Sequence, residues 1–532
     1  MSDDVLKSKS PEVPSSQPVS ADEMRRCAEV LNAIVNDRGL LVQLSKEERL
    51  KLVSAAGRVS RPTRDDERRL RRTFNKVQKV QERSADRLAK SETGIRSARE
   101  TAVFVAPAQL TSSAANPETQ YRDLKNPKNC YVCKQDFTKL HFFYDAMCPA
   151  CAEFNYSKRF QSARLDGWTA VITGSRLKIG YHAALKMLRA GAQVIATTRF
   201  PHDSALRYSR EPDFAEWRDR LHVHGLDLRH SPSVEIFTRY LNARCDTLDL
   251  LINNAAQTVR RPVGFYTHLL EFENARWSQL PAEIRPILQA HEDCKSALAS
   301  GDRVQLDGPE TPPEDSTGLA VLGETSGAGM GIRASAALSQ VRYTYDDVQS
   351  GRDVFPAGRT DADLQQIDLR MQNSWRMTLA DVPTPEMLEV QLVNAVAPFI
   401  LCSKLKPLML KNPTGQRHIV NVSAMEGIFS RGTKTDKHPH TNMAKAALNM
   451  MTLTSAPDYA ADGIFMNAVD TGWVTDEDPA AHAARKREQH DFQPPLDIVD
   501  GAARVCDPFF AGLISGEHVW GKFLKDYKPA SW

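Results

Sequence analysis

Long apolar runs are missing from this sequence. No stretch of about 18 consecutive apolar residues occurs in its 532 residues, and a helix needs roughly 20 to cross a bilayer, so we expect no membrane span. Residues 1–20 are polar and contain no apolar segment of the kind that a secretory signal needs. Cysteine is also scarce, at 9 residues, which argues against a disulfide framework and indicates a reduced compartment. The expected location is therefore the cytoplasm.

Glycine and proline, at 27 and 30 residues, are too few for a collagen-like or a wholly disordered chain. The 41% hydrophobic and 25% charged residues are typical of a soluble globular protein. The net charge of +3 is unevenly distributed, because residues 1–165 hold 30 Lys and Arg against 21 Asp and Glu, whereas the remainder holds 39 against 45. This split predicts separate units with separate surfaces.

The composition changes at several points along the chain. The predicted regions are a disordered tail at 1–20, a basic helical region at 21–104, a linker at 105–120, a four-cysteine domain at 121–160 and an α/β domain at 166–532 with an insertion at 257–384. Residues 51–100 hold 15 Lys and Arg against 7 acids, which predicts a solvated helical arm or docking helix. Nucleic-acid binding by this arm is an alternative, but no base-reading motif supports it.

Four cysteines form two close pairs. Cys130 and Cys133 are separated by two residues, 14 residues follow, and Cys148 and Cys151 repeat the spacing. Each pair can direct two thiolates at one ion, and four such soft ligands suit a tetrahedral zinc. Because a closed site of this kind leaves no open coordination position, we expect the zinc to be structural rather than catalytic.

From residue 166 onward, short β-rich segments alternate with helical ones. Strands are predicted at 168–173, 193–197, 221–225, 247–253, 418–423, 465–470 and 518–523, and helices near 181–190, 213–220, 232–243, 386–410, 440–460 and 498–513. Such alternation is typical of βαβ units, so we predict the α/β class, with a Rossmann-type doubly wound parallel sheet after the helical arm and the small zinc domain. The insertion is predicted to have helical ends and a disordered centre.

Polar motifs follow the predicted strands. Residues 173–180 form a glycine turn of the kind that lets backbone amides approach a pyrophosphate. Asp227 follows the third strand, an Asn-Asn-Ala-Ala motif ends the fourth, and Asn-x4-Gly ends the sixth. In this order the motifs resemble those of the short-chain dehydrogenase/reductase family, over residues 166–256 and 385–532. The resemblance implies a seven-stranded sheet that binds a nicotinamide dinucleotide across the carboxyl ends of its strands.

The resemblance also implies a set of cofactor-binding residues. They are Thr173, Gly174, Ser175, Arg176, Ile179, Gly180, Arg199, Asp227, Leu228, Asn253, Ala255, Lys445 and Thr475. Lys178 stands where the family's turn has its middle glycine. The second strand ends without the acid that NAD-preferring members use, and Arg199 offers a guanidinium for a 2′-phosphate. NADP is therefore the expected cofactor; NAD is the less favoured alternative, with Arg199 only stacking on adenine.

The implied catalytic set departs from the family, which uses a Tyr, a Lys four residues later, a Ser and an Asn. Lys445 and Asn394 are present, but Thr441 occupies the Tyr position, and an aliphatic hydroxyl is too weak an acid near neutral pH. The Ser position is ambiguous. The spacing of the motif puts Ala424 there, and Ser423 can serve only if a bulge re-aims it, because adjacent strand residues face opposite sides.

A proton donor must come from elsewhere if the chain is an enzyme. His440 has the ordinary pKa closest to neutral, and Asp436, Lys437 and Glu426 are local alternatives. The competing interpretation is that His440 only sits at the start of a helix.

The insertion begins and ends with further candidates. Arg260 and Arg261 follow the fourth strand and are predicted to hold either an anionic substrate or an internal acid from the insertion. Trp375, near the end of the insertion, is expected to pack rather than to take part in chemistry.

The leading hypothesis is an NADP-dependent oxidoreductase of the short-chain dehydrogenase/reductase type, acting on an unknown carbonyl or alcohol substrate. The alternative is a catalytically reduced NADP-binding sensor or scaffold, whose zinc domain and basic arm contact a protein partner or a second copy of the chain. A zinc-dependent nucleic-acid binder with a passive dinucleotide-binding domain is a third candidate.

Overall fold

The computed structural model describes residues 19–100, 122–299, 327, 329–342, 353–361, 365–411 and 415–532. The predicted tail up to residue 18, the predicted linker at 105–120 and the centre of the insertion at 300–326 lie outside these described residues. The chain divides into two compact units, residues 1–82 and 83–532.

The first unit is helical in its described part. Its helices are α1 (Ala21–Asn36), α2 (Lys46–Ser60) and the beginning of α3 (Arg64–Ser91). Ser20 and Ser45 begin α1 and α2 with capping boxes, in which the serine and a glutamate three residues later satisfy each other's backbone N–H groups. None of the described residues 19–82 is buried, because the apolar stripe of these helices is too thin to form a core. The fold therefore includes the expected N-terminal helical arm.

The four cysteines lie in a small module at the start of the second unit. The antiparallel strands β1 (Arg122–Asn129) and β2 (Asp136–Leu140) form a hairpin. The module also contains helices α4 (Gly94–Glu100) and α5 (Pro149–Phe160). Its aromatic core includes Phe137, Phe143 and Tyr144.

The remainder of the second unit is built on one eight-stranded sheet. Its strands are β3 (Thr169–Thr173), β4 (Gln193–Thr198), β5 (Leu221–Gly225), β6 (Leu250–Asn253), β7 (Arg417–Ser423), β8 (Ile464–Asp470), β9 (Phe523–Lys525) and β10 (Lys528–Ala530). The order is β10-β9-β8-β7-β6-β3-β4-β5, and all neighbours are parallel except β10, which is antiparallel to β9. The chain moves outward in both directions from the β3–β6 pair, so a ligand crevice is expected at the carboxyl ends of these strands.

Helices cover both faces of the sheet. They are α6 (Lys178–Arg189), α7 (Pro201–Ser209), α8 (Phe214–Trp217), α9 (Ser231–Arg244), α10 (Thr267–Glu273), α11 (Arg285–Ala299), α12 (Met330–Arg333), α13 (Thr384–Gln391), α14 (Ala397–Leu410), α15 (Pro439–Ala461), α16 (Ala480–His490) and α17 (Ile498–Ser515). Along β3, Ala170 and Ile172 join one hydrophobic cluster and Val171 joins the other, as the two-residue period of a strand requires. The predicted α/β doubly wound fold is confirmed.

Several elements differ from the sequence-based prediction. Strand β10 gives the sheet eight strands instead of the expected seven, and helix α16 was not predicted. The last parallel strand begins at Phe523 rather than at 518, because Gly521 is left-handed at φ 63° and the side chain of Asn467 takes the hydrogen bonds to 519 and 522. Helix α7 was not predicted, since it follows β4 after only two residues. The predicted helix at 386–410 is interrupted by a π-helical turn at Leu392–Val396.

One helical segment, Thr384–Leu410, is long and apolar enough to cross a membrane by length and composition, with a mean hydropathy of 1.4 over 18 residues. However, 56% of that window is buried, and Leu401 and Leu405 belong to one of the clusters under the sheet. Such burial is typical of the core helix of a doubly wound domain.

Candidate functional site

A cavity of about 430 Å³ lies at the carboxyl ends of the parallel strands. Residues that follow β3, β4, β5, β6, β7 and β8 all contribute to its lining. Of the predicted cofactor-binding residues, ten line it: Gly174, Arg176, Ile179, Gly180, Arg199, Asp227, Leu228, Ala255, Lys445 and Thr475. The other three support the wall from behind: Thr173 accepts a hydrogen bond from the Ala255 backbone, Ser175 bonds the Thr197 carbonyl, and Asn253 bonds Asn421.

The glycine turn has no room for side chains at two points. Gly174 is left-handed at φ 66°, and a Cβ there would lie 2.8 Å from the Cα of Ala255. A Cβ at Gly180 would overlap the Gly174 carbonyl and the side chain of Asn254. Lys178, between them, adopts φ 55°, a conformation that costs a lysine about 1–2 kcal/mol. The backbone of the turn is therefore held close and open toward the cavity, as a pyrophosphate site requires.

Arg199 and Asp227 lie at one end of the cavity. The Arg199 guanidinium donates to the Tyr266 hydroxyl at 2.7 Å and lies 4.8 Å from the centre of its ring. Burial opposes the ionisation of Asp227, but its ion pair with Arg229, at 2.6 Å, keeps the pKa of this carboxyl below its usual value. Arg176 lines the same end, and its guanidinium is already paired with Asp203 at 2.7 Å.

Lys445 and Ser423 lie at the other end. The Lys445 ammonium donates to the Val422 carbonyl at 2.8 Å, and burial lowers the pKa of this lysine to about 8. Ser423 ends β7 and lines the cavity beside Ala424, but its hydroxyl donates to the Asn449 amide oxygen at 2.5 Å.

Thr441 and His440 lie outside the cavity lining. The Thr441 hydroxyl donates to the Thr258 carbonyl at 3.4 Å. Both ring nitrogens of His440 are buried without a hydrogen-bond partner among the described residues, and burial lowers the pKa of its imidazole to about 4. His440 is therefore neutral at pH 7, and its position does not support a role as proton donor.

Asn394 is part of the π-helical turn that separates α13 from α14. Its side-chain amide pairs with one backbone unit, because Nδ2 donates to the Gln257 carbonyl at 2.9 Å and Oδ1 accepts from the Gln257 N–H at 2.8 Å. Gln257 lines the cavity. Asn394 thus fixes the path of the chain where it leaves β6 and enters the insertion.

Glu477 is a cavity-lining carboxylate that the sequence analysis missed. It accepts hydrogen bonds from Thr475 at 2.9 Å and Thr258 at 3.1 Å. Burial would raise its pKa, but Lys178 and Arg261, together with these hydroxyls, hold the pKa of Glu477 below its usual value. Its sequence context, an acidic run at 476–478, gives no sign that this half-buried carboxylate lines the cavity.

The end of the insertion contacts the segment that follows β8 and the residue that precedes α15. Asn373 donates to the Glu477 carbonyl at 2.9 Å. Trp375 stacks on His438, which immediately precedes α15, with ring centroids 4.0 Å apart. Arg261 forms an ion pair with Asp368 of the insertion at 2.5 Å. Of the two predicted partners, an anionic substrate or an internal acid, the structure shows the internal acid.

The four cysteine sulfurs lie within 4.8 Å of one another. Cys133 and Cys148 Sγ are 3.7 Å apart, which matches the edge of a tetrahedron with metal–sulfur bonds of about 2.3 Å. Burial opposes the ionisation of Cys130, but backbone N–H groups directed at its sulfur lower the pKa of this thiol to about 7. The donor set and its spacing therefore fit a tetrahedral thiolate-bound metal.

Two family models match the doubly wound domain. The short chain dehydrogenase model matches residues 168–280, and the enoyl-(acyl carrier protein) reductase model matches residues 360–495. The chain is also similar to an uncharacterized protein of Acanthamoeba polyphaga mimivirus, with 29% identity over 392 residues that cover 72% of this chain and 71% of the viral protein.

Among solved structures, the chain is similar to a short chain dehydrogenase from Burkholderia cenocepacia in complex with NADP, with 16% identity and a TM-score of 0.39 over 68% of this chain and 96% of that one. It is also similar to the carbonyl reductase Sniffer of D. melanogaster, with 15% identity and a TM-score of 0.38 over 69% of this chain and 100% of that one.

Proposed function

We propose that this chain, whose doubly wound domain belongs to the short-chain dehydrogenase/reductase family, is an NADP(H)-dependent oxidoreductase that acts on a carbonyl or alcohol substrate. One observation carries the proposal. The glycine turn, Lys445 and Thr475 come from three distant parts of the chain and line a single cavity at the carboxyl ends of the strands, where dinucleotides bind in doubly wound sheets.

The residues around the cavity fit a dinucleotide. Gly174 and Gly180 leave open the backbone cradle for the pyrophosphate, and a Cβ at either glycine would collide with the neighbouring backbone. Lys445 offers its ammonium to the ribose hydroxyls, and Thr475 offers its hydroxyl to the carboxamide. Arg199, at the end of β4, offers a bidentate donor for a 2′-phosphate, which favours NADP over NAD.

The nicotinamide, when bound, supplies or accepts the hydride. In carbonyl reduction the protein must then supply a proton to the substrate oxygen, and in alcohol oxidation it must accept one. Thr441 and His440 are not among the residues that line the cavity, so we assign proton transfer to Lys445, which does line it and whose pKa of about 8 is suited to a general acid near neutral pH. Ser423 can orient the substrate oxygen only if it gives up its hydrogen bond to Asn449.

The alternative function is an NADP(H)-binding sensor or scaffold without turnover. A specific observation favours it: Thr441 stands where the family has its catalytic tyrosine, and an aliphatic hydroxyl is too weak an acid to replace it near neutral pH. Under this alternative the same cavity binds the dinucleotide, and no substrate is converted.

Turnover separates the two functions. We expect wild-type protein to oxidise NADPH in the presence of some member of a broad aldehyde and ketone panel, and His440→Gln to retain this activity. Lys445→Met should lower kcat by roughly 10²–10⁴, the usual contribution of a general acid. The matched comparison is Lys406→Met, which replaces a lysine outside the cavity.

If wild-type protein binds NADPH in calorimetry but none of the carbonyl compounds in the panel supports NADPH oxidation, the sensor or scaffold function replaces the oxidoreductase function. If His440→Gln loses turnover, His440 rather than Lys445 is the proton donor.

We further propose that the metal held by the four-cysteine module is zinc and that it is structural. Four thiolates with this spacing saturate a tetrahedral ion. The module then supports the fold rather than the chemistry of the cavity.

A further inference from the structure

Tyr131 links the four-cysteine module to the dinucleotide cavity. It lies between Cys130 and Cys133, so its backbone is part of the loop that surrounds the metal position. Its hydroxyl accepts a hydrogen bond from the Trp473 backbone N–H at 3.0 Å. This contact joins residues that are 342 positions apart in the chain.

Trp473 belongs to the turn at residues 471–475, which follows β8 and contributes Thr471 and Thr475 to the cavity lining. The turn is tightly constrained on the module's side. Gly472 is left-handed at φ 75°, and a Cβ on it would lie 3.2 Å from the Tyr131 hydroxyl.

Apolar contacts join the same two regions. Val474 and Leu496 are buried in the hydrophobic cluster of the module, together with Cys130 and Phe137. Ile179, which is part of the glycine turn and lines the cavity, packs against this cluster as well. The module therefore contacts the cavity wall at the pyrophosphate turn and at the turn that carries Thr475.

We propose that Tyr131 is a positioning residue for the nicotinamide half of the dinucleotide site and that metal occupancy of the four cysteines raises affinity for that half. The thiolate-bound metal fixes the loop between Cys130 and Cys133, and the loop fixes the Tyr131 hydroxyl. The hydroxyl and the apolar contacts hold residues 471–475 in place, and with them Thr475. The proposal rests on the proposed function in one respect, since it needs a dinucleotide in the cavity.

The test compares two ligands on the full-length, zinc-loaded protein. NADPH reaches both halves of the cavity, whereas adenosine 2′,5′-bisphosphate has no nicotinamide half. Tyr131→Phe keeps the ring and removes the hydroxyl. We expect its Kd for NADPH to rise roughly three- to tenfold, the effect of losing one hydrogen bond, and its Kd for adenosine 2′,5′-bisphosphate to stay unchanged.

The matched control is Tyr240→Phe, which removes a hydroxyl that donates to the Ala290 carbonyl at 3.0 Å, outside the cavity lining. It should change neither Kd. Removal of zinc from wild-type protein by a chelator should reproduce the selective loss of NADPH affinity. Equal weakening of both ligands, or an unchanged Kd for NADPH in Tyr131→Phe, would overturn the proposal.

A second measurement does not depend on ligand binding. Hydrogen exchange at the Trp473 amide should accelerate in Tyr131→Phe and in chelator-treated wild type, but not in Tyr240→Phe. If neither ligand binds to wild-type protein, the proposed function has failed. The exchange rate then still decides whether Tyr131 holds the turn, and an unchanged rate would show that it does not.

Discussion

Arg199 is the residue on which the choice of dinucleotide depends. Its guanidinium is held by the Tyr266 hydroxyl at 2.7 Å and lies over the same ring, so it is already oriented before a ligand arrives. A pre-oriented planar donor loses little side-chain entropy when it binds a phosphate.

We expect NADPH to bind more tightly than NADH, and Arg199→Ala to reduce the difference by about 1–3 kcal/mol, the range for hydrogen bonds to a charged group. Isothermal calorimetry with both dinucleotides measures this difference. Tyr266→Phe should reduce it less, because the guanidinium itself remains. Equal affinities in wild-type protein would show that the cavity has no 2′-phosphate site.

Residue-level chemistry was only partly readable from the sequence. The strand-end positions of Gly174, Asp227 and Thr475 followed from motif order, because the backbone of a parallel sheet brings its carboxyl ends to one edge. Hydrogen bonds between residues that are far apart in the sequence could not be predicted from motif order. Glu477 is bonded to Thr475 and Thr258, and no local pattern distinguishes it from the neighbouring acids.

At the scale of elements, the junction between α5 and α17 depends on a buried ion cluster. Arg159 of α5 donates to Asp497 at 2.7 Å and to Asp500 at 2.8 Å. Asp497 in turn caps α17. All three side chains are almost fully buried. This cluster, rather than an apolar contact alone, fixes the module's helix on the helix that covers the sheet.

We expect Arg159→Met to lower the free energy of unfolding by about 3–5 kcal/mol, because it leaves two buried carboxyl groups without their cation. Urea denaturation at pH 7 measures the change. Arg164→Met is the matched control, since the Arg164–Asp166 pair is largely exposed, at 92% and 62% of the side chains, and should contribute under about 1 kcal/mol. A similar small loss in both variants would contradict a structural role for the cluster.

The positions of helices and strands were predicted better than the contacts between side chains, and the errors in these positions have physical causes. Every residue of a central parallel strand such as β3 is buried, so a continuous apolar run such as Ala170–Ile172 indicates the strand. The π-helical turn at Leu392–Val396 cannot be recognised from hydrophobic periodicity. One extra residue in a turn rotates the following apolar residues about the helix axis by less than a full helical face.

At the scale of the whole molecule, the four-cysteine module and the sheet form one compact unit from residue 83 to residue 532. The sequence predicted the module as a separate region at 121–160. The module and the α/β domain differ in amino-acid composition, but the contacts of Arg159 with α17 and of Tyr131 with Trp473 join them. Long-range contacts of this kind cannot be read from spacing.

We expect one zinc per chain in protein purified without chelator, and loss of that zinc in Cys148→Ser, since three thiolates hold the ion less tightly than four. Elemental analysis measures the metal, and limited proteolysis should show faster cleavage within residues 122–160. Cys27→Ser, which changes an exposed cysteine outside the cluster, should keep its zinc. Absence of stoichiometric zinc from wild-type protein would contradict the assignment.

The insertion also has a consequence for the time course of folding. The central pair β6–β7 joins Asn253 to Asn421 across 168 positions, and closing so long a loop is entropically costly before any native contact compensates for it. At a synthesis rate of about 5–20 residues per second, β6 waits roughly ten to thirty seconds on the ribosome with one edge unpaired. Because an unpaired edge strand can pair with another chain, nascent copies of this protein are expected to aggregate through β6 unless a chaperone covers that edge until β7 emerges.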